Sequence, residues 1–167
     1  MKTWKHTDRI APLPNGPWDD EPDKAQWVDE PSGLDCLIVR NRFGALCGYV
    51  GVGPDHPYHG KDYADLYDLD VHGGLTFAAS CDEEAPEGHG ICHIPEPGRP
   101  KNVWWLGFDC AHFTDLCPAA PHASETFPEV YRNFAYVQSE CAALAVQLAE
   151  VGRSSAGFVI DRSNVAT

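Results

Sequence analysis

The stretch Asp35-Cys-Leu-Ile-Val-Arg-Asn-Arg-Phe-Gly-Ala-Leu-Cys-Gly-Tyr-Val-Gly-Val52 decides the fold class. Residues 37–40 are rich in β-forming side chains, 41–44 carry turn chemistry, and 45–52 return as a second strand. This is an antiparallel hairpin. Glycines at 48, 51 and 53 predict a bulge, or a ligand passing close to the backbone. They do not make a dinucleotide fingerprint, because His56 stands where the third glycine belongs.

Working outward, residues 54–70 read as a polar loop with a helical turn at 63–69. Residues 71–80 read as a strand interrupted by Gly73-Gly74, and 82–102 as a loop rich in Pro, Gly and acid. Residues 103–108, holding Trp104 and Trp105, are an apolar run suited to the middle of a sheet. Val130, Phe134, Val137, Cys141, Leu144 and Leu148 recur at three- and four-residue steps, which predicts a helix over 128–151. Pro128 suits its first turn, Glu129 its positive end and Gly152 its stop. Residues 157–161 complete the pattern as an edge strand. Upstream, residues 1–34 read as an extended arm packed onto the domain through Trp4, Trp18 and Trp27. The expected fold is therefore α+β, a small, mainly antiparallel sheet with one long C-terminal helix packed on it. Residues 35–167 form the single domain.

With 167 residues, 43% of them hydrophobic, the chain can bury a core without help from metals or crosslinks. Lys and Arg total 12 against 25 Asp and Glu, a net charge of −13. That sign repels phosphate backbones and anionic membranes, so neither nucleic acid nor membrane is an expected partner. The first ten residues lack the apolar run of a signal peptide, and no window approaches a membrane span. The 7 cysteines are an odd number without regular spacing, which points to a reducing cytoplasm with free or metal-bound thiols.

Three motifs place reactive side chains on short loops beside strand ends. In His56-Pro-Tyr-His-Gly-Lys-Asp-Tyr63, His56 and His59 can share a metal, Lys61 can hold a phosphate, and Tyr58 and Tyr63 can stack on a base. In Asp70-Val-His-Gly-Gly-Leu-Thr76, His72 changes charge near neutral pH, the amides of Gly73 and Gly74 suit an anion, and Thr76 adds a hydroxyl. In Trp104-Trp-Leu-Gly-Phe-Asp-Cys-Ala-His112, an apolar strand runs straight into Asp109, Cys110 and His112. A carboxylate there needs a partner, because burying it alone costs several kcal/mol. His72, Asp109 and His112 are accordingly the candidate catalytic residues. Cys81, Cys92, Cys110 and His112 offer a zinc set, although no C-x-x-C pair supports it.

The motifs Gly-Ala-Leu-Cys-Gly-Tyr-Val-Gly-Val (44–52), His56-Pro-Tyr-His-Gly-Lys-Asp-Tyr63, Asp70-Val-His-Gly-Gly-Leu-Thr76, Ile91-Cys-His-Ile-Pro-Glu-Pro-Gly98 and Trp104-Trp-Leu-Gly-Phe-Asp-Cys-Ala-His112 resemble a group of small uncharacterised phage, prophage and bacterial proteins. The likeness covers about residues 16–150. It implies a host bacterial cytoplasm and a counter-defence setting. In that setting the expected function is sequestration of a nucleotide-like signal, such as an ADP-ribose derivative or a cyclic nucleotide. Tyr58, Tyr63, Trp104 or Trp105 would stack on the base, Lys61 with Gly73 and Gly74 would hold phosphate, and His72, Asp109 and His112 would take the ribose hydroxyls or a cationic group. No cofactor is required for that role. The alternative is a hydrolase using the same acid–base residues, or zinc, on such a nucleotide. A second alternative is an acidic DNA mimic or host-enzyme inhibitor. A homo-oligomer is compatible with each.

Overall fold

A computed structural model of the chain describes residues 1–5, 12–81, 83–121 and 127–156. The architecture is the α+β one expected, a six-stranded sheet with one long helix. Its elements are β1 (Lys2–Trp4), β2 (Lys24–Val28), β3 (Asp35–Arg40), β4 (Leu46–Val52), β5 (Phe77–Ser80), β6 (Trp104–Asp109) and α1 (Phe134–Ala156). The strand order is β1-β2-β3-β4-β6-β5, and each neighbouring pair is antiparallel. Among the described residues no helix is long and apolar enough to cross a membrane.

The β3–β4 hairpin occupies the middle of the sheet. Asn41 builds its turn, its side-chain carbonyl accepting the Phe43 and Ala45 amides at 2.9 and 3.1 Å. Strand alternation then sorts the core. Cys36, Ile38, Leu46, Val50, Val52, Leu106 and Phe108 face α1, which answers with Val137, Cys141, Leu144, Ala145 and Leu148. Leu144 and Leu148 are fully buried, worth about 1.5–3 kcal/mol each. Leu37, Cys47, Tyr49 and Trp105 form a smaller cluster on the other face.

The glycines of β4 serve side-chain packing, not a bulge or a ligand. Register sets Gly48 opposite Phe108, Tyr49 opposite Gly107 and Gly51 opposite Trp105. A Cβ at residue 48 would stand 2.5 Å from the Phe108 ring and 2.7 Å from Cys141 Sγ. One at residue 107 would stand 2.2 Å from Tyr49. Each glycine is the space that a ring on the next strand fills.

Several boundaries differ from the expected ones. The arm of residues 1–34 supplies β1 and β2, so it is woven into the sheet rather than laid over it. Trp18 is buried as expected, with its ring edge on Tyr131. The polar residues of β2 concealed it as a strand. Lys24 Nζ donates to the Glu87, His89 and Cys92 carbonyls, and Gln26 exchanges two hydrogen bonds with the Ile94 backbone. Helix α1 begins at Phe134 rather than 128, because the preceding segment is extended. Val130 donates to Thr114 O and its own carbonyl accepts from Leu116 N–H. Asn133 Oδ1 then caps the helix by accepting the Tyr136 amide at 2.9 Å. Gly152 does not stop the helix. It makes room for His56, whose Nε2 lies 2.8 Å from Leu148 O and whose ring would stand 3.1 Å from a Cβ at 152. Only Phe77–Ser80 of the 71–80 segment is strand, and the edge strand expected at 157–161 lies outside the described residues.

Residues 83–103 run over the second face of the sheet, where Ile91 and Val103 join the Leu37, Cys47, Tyr49 and Trp105 cluster. Cys81 and Cys92 are joined in a disulfide, and the other five cysteines are buried and free. The expectation that every thiol is free or metal-bound therefore fails for one pair. His93 lies under this cover, 8% exposed and edge-on to Trp105 at 5.2 Å. Burial holds its pKa below the ordinary 6.5; Asp35 and the Pro100 carbonyl oppose that, while Arg99 and Lys24 add to it. The unfolded chain then takes the proton more readily than the folded one. The stability this group contributes is complete above about pH 6.5 and is lost as the pH falls below it. Urea midpoints taken about one pH unit either side of that value are expected to drop on acidification, and His93→Phe to shrink the drop. An unchanged drop in the variant would assign it to other groups.

Candidate metal centre

Three connections converge at one end of the sheet: the turn before β5, the turn after β6, and the segment leading into α1. In the first, Gln147 clamps the Asp70 backbone on both sides, at 2.8 and 2.7 Å. Gly74 donates its amide to Val71 O, and Gly73 and Gly74 have φ of +66° and +84°, a turn that glycine enters without strain. This sets His72 against α1. Its amide donates to Glu140 Oε2 at 2.9 Å, its Nδ1 meets Tyr136 OH at 2.9 Å, and its Nε2 meets Asp115 Oδ2 at 2.7 Å.

In the second connection, His112 and Asp115 close a reciprocal turn. Asp115 N–H donates to His112 O, and His112 N–H donates to Asp115 Oδ2 at 3.1 Å. In the third, Arg132 Nε donates to Asp115 Oδ1 at 2.8 Å, with its guanidinium 5.0 Å from the centre of the Tyr136 ring. Asp115 is thus a fully buried carboxylate, satisfied by Arg132 on one oxygen and by His72 and the His112 amide on the other. Burial by itself would raise its pKa. The Arg132, His72 and His112 hydrogen bonds outweigh burial and hold it below the usual carboxylate range.

The His112 ring completes the cluster. It lies edge-on to His72 at 5.3 Å, with Nδ1 3.4 Å from Asp115 Oδ2 and 4.0 Å from Asp109 Oδ1. That buried nitrogen makes no aligned hydrogen bond. Gly73 allows the ring its position, since a Cβ there would stand 2.1 Å from His112 Cε1.

His72 and His112 therefore meet, as expected, but the carboxylate between them is Asp115 rather than Asp109. Asp109 sits at the rim, about a third exposed, with Oδ1 accepting the Ala111 amide. Two signals marked the residues that were missed. His112-Phe-Thr-Asp115 has the spacing of a closed turn. Arg132, Tyr136 and Glu140 follow one another at four-residue steps along one side of the helix and its entry.

The remaining candidates stand elsewhere. Lys61 O accepts from Trp104 Nε1 at 2.9 Å, the Lys61 ammonium lies 5.0 Å from the centre of the Tyr58 ring, and His59 packs beside Trp104. Trp104 begins β6 and Asp109 ends it, a separation of roughly 16 Å. Similarly, His56 meets α1 at Leu148, roughly 18 Å along the helix from Tyr136. Tyr58, His59, Lys61 and the exposed Tyr63 consequently belong to another region of the surface. Trp105 is fully buried in the second-face cluster, where it has no face to offer a ligand. Thr76 is exposed, with its amide donated to Gly107 O, and the Gly74 amide is engaged within its own turn. The zinc set of Cys81, Cys92, Cys110 and His112 is not assembled. The first two are bonded to each other, and Cys110 is part of the core, where burial pushes its thiol pKa up. In its place His72, His112 and Asp115 each present one ligand atom, all within 4.8 Å of one another.

No protein-family model, no curated protein and no solved structure matches the chain.

Proposed function

We propose that His72, His112 and Asp115 hold a divalent transition-metal ion, zinc by ligand type, and that the loaded centre is hydrolytic. The observation that carries this is His112 Nδ1. It is a buried nitrogen without a hydrogen bond, 3.4 Å from a carboxylate oxygen and beside a second imidazole. Two imidazoles and one carboxylate suit zinc, and three protein ligands leave a fourth position for water. Tetrahedral zinc ligands stand about 3.3 Å apart for bonds of about 2.0 Å. The 3.4 Å pair already fits, and the 2.7 Å contact between His72 and Asp115 needs to open by about half an ångström.

The surrounding residues supply the orientation that such a centre needs. On loading, the ion would replace the His72 Nε2 proton that now faces Asp115, and the ring could keep a proton on Nδ1 for donation to Tyr136 OH. Arg132 occupies Asp115 Oδ1 and leaves Oδ2 toward the imidazoles. Bound zinc would lower the pKa of a coordinated water toward neutrality. Asp109, 4.0 Å from His112 and part exposed, is the nearby carboxylate that would serve as base in such a centre. Sequestering a nucleotide would call on Tyr58, Lys61 and Trp105 at the same place as His72, so the hydrolase is the better-supported of the two readings.

Native mass spectrometry with added zinc is expected to find one ion per chain. His112→Ala should weaken zinc binding by at least about 100-fold, beyond the 10–100-fold typical of supporting residues. Gly73→Ala, which displaces the His112 ring, should fall within that supporting range. The zinc form should hydrolyse an activated phosphodiester and stop on addition of EDTA. Equal zinc binding by the parent protein and His112→Ala would sink the proposal.

A further inference from the structure

Cys81, just after β5, is bonded to Cys92, and the backbone they enclose closes on a single cation. Lys24 Nζ donates to the Glu87, His89 and Cys92 carbonyls at 2.8, 3.2 and 2.8 Å. Lys24 is 1% exposed, and burial pulls its pKa down to about 8, so below that pH a buried charge depends on these carbonyls. Glu87 adds a hold on β1, accepting from Lys2 Nζ at 2.6 Å and from Trp4 Nε1 at 3.3 Å. The disulfide loop therefore clasps both N-terminal strands.

This pair differs from the other cysteines in access. Cys36, Cys47, Cys110, Cys117 and Cys141 are buried, and burial raises the pKa of each thiol, which keeps it protonated and unreactive. Cys81 and Cys92 are part-exposed. Cys81 also lines an open groove of about 520 Å³, with Ser80, Glu83, Glu84, Lys101, Asn102 and Val103. That is room enough for a small dithiol.

We propose that Cys81–Cys92 is a thiol-exchange switch, opened by a small dithiol in the groove, that releases the loop from Lys24 and β1. First, a thiolate of the dithiol bonds to Cys81 Sγ. The Cys81–Cys92 bond breaks, and Cys92 leaves with the electron pair and takes a proton from water. The second thiol then loses its proton and attacks the first sulfur, closing a ring disulfide, and Cys81 leaves and is protonated. The protein gains two electrons and two protons, and the dithiol gives up the same. Losing a crosslink across a sequence separation of 11 frees the loop to open about 100-fold more often. Neither cysteine belongs to the His72, His112 and Asp115 cluster, so the switch stands or falls without the metal.

Dithiothreitol followed by N-ethylmaleimide is expected to label Cys81 and Cys92 and none of the other five cysteines, as read by peptide mass spectrometry. Amide hydrogen exchange over residues 83–94 should quicken by about 100-fold, while β3, β4 and α1 keep their protection. Lys24 should become open to an acylating reagent, with the exposed Lys61 as an unchanged reference. Oxidised dithiothreitol should reverse all three changes. Cys81→Ser/Cys92→Ser should exchange fast from the outset and ignore the dithiol. A pair that does not form under oxidised dithiothreitol overturns the switch, and so does one reduced with no change in exchange or in Lys24 labelling. Labelling of all 7 cysteines on reduction also overturns it, since the bond would then be a staple for the whole fold.

Discussion

Asp115→Ala is expected to lower stability by about 3–5 kcal/mol and to abolish zinc uptake. The carboxylate is fully buried and is the shared acceptor for Arg132, His72 and the His112 amide. Its removal leaves a cation and two donors facing a cavity. Arg132 is a quarter exposed, so water recovers part of its charge, and the loss should fall toward the lower end of the range. Asp115→Asn keeps the shape and can still accept from Arg132, so it should unfold later than the alanine variant yet still bind zinc poorly. Urea unfolding with an unchanged m-value, read beside zinc titration, tests both halves. A loss under about 1 kcal/mol with zinc binding retained would show that Asp115 is not the hub.

Arg40→Ala should cost a similar amount for a reason unrelated to the metal. The Arg40 side chain is fully buried, and its guanidinium donates to Asp23, Glu21, Tyr131 OH and Gly44 O at 2.9, 3.0, 2.8 and 2.9 Å. Tyr131 donates in turn to Glu21, and the other Glu21 oxygen accepts the Phe134 amide at the start of α1. Alanine would remove the guanidinium from buried Asp23, Glu21 and Gly44 O and loosen the helix start, for about 3–5 kcal/mol. That corresponds to a fall in Tm of roughly 10 °C for a chain of this length. Arg40→Lys should recover little, because one ammonium cannot serve four acceptors spread around a planar fork. Melting curves for both variants decide it. A lysine variant as stable as the parent would reduce the cluster to simple charge neutralisation.

The β3–β4 hairpin, β6 and the helix were legible because their periods are local, whereas β1 and β2 were not. Alternation in 35–52 and the three-to-four spacing from Val130 to Leu148 are complete within one segment. What escaped depends on partners far along the chain. The β4 glycines look like a bulge until Phe108 and Trp105 of β6 are set against them. Pro128 and Val130 match a helical pattern, yet their segment is extended because its backbone pairs with residues 114–116. Cys81 and Cys92 carry no spacing signature, and the turns between them bring their Cα atoms to 4.7 Å. At the centre, the requirement that a carboxylate beside an apolar strand be compensated was sound in kind. Two histidines do gather around such a group, but it is Asp115, on the turn beyond β6, because Asp109 at the strand end keeps access to water.

The order of the strands also bears on how the molecule behaves in a crowd. The long, apolar strands lie inside the sheet, and the outermost two, β1 and β5, have three and four residues. A strand that short gives a second molecule few unpaired amides and carbonyls on which to extend the sheet. With the mutual repulsion of chains at −13, runaway edge-to-edge growth toward fibres is discouraged at both borders. Association between copies is left to side-chain surfaces, where point substitutions can tune it without touching the sheet.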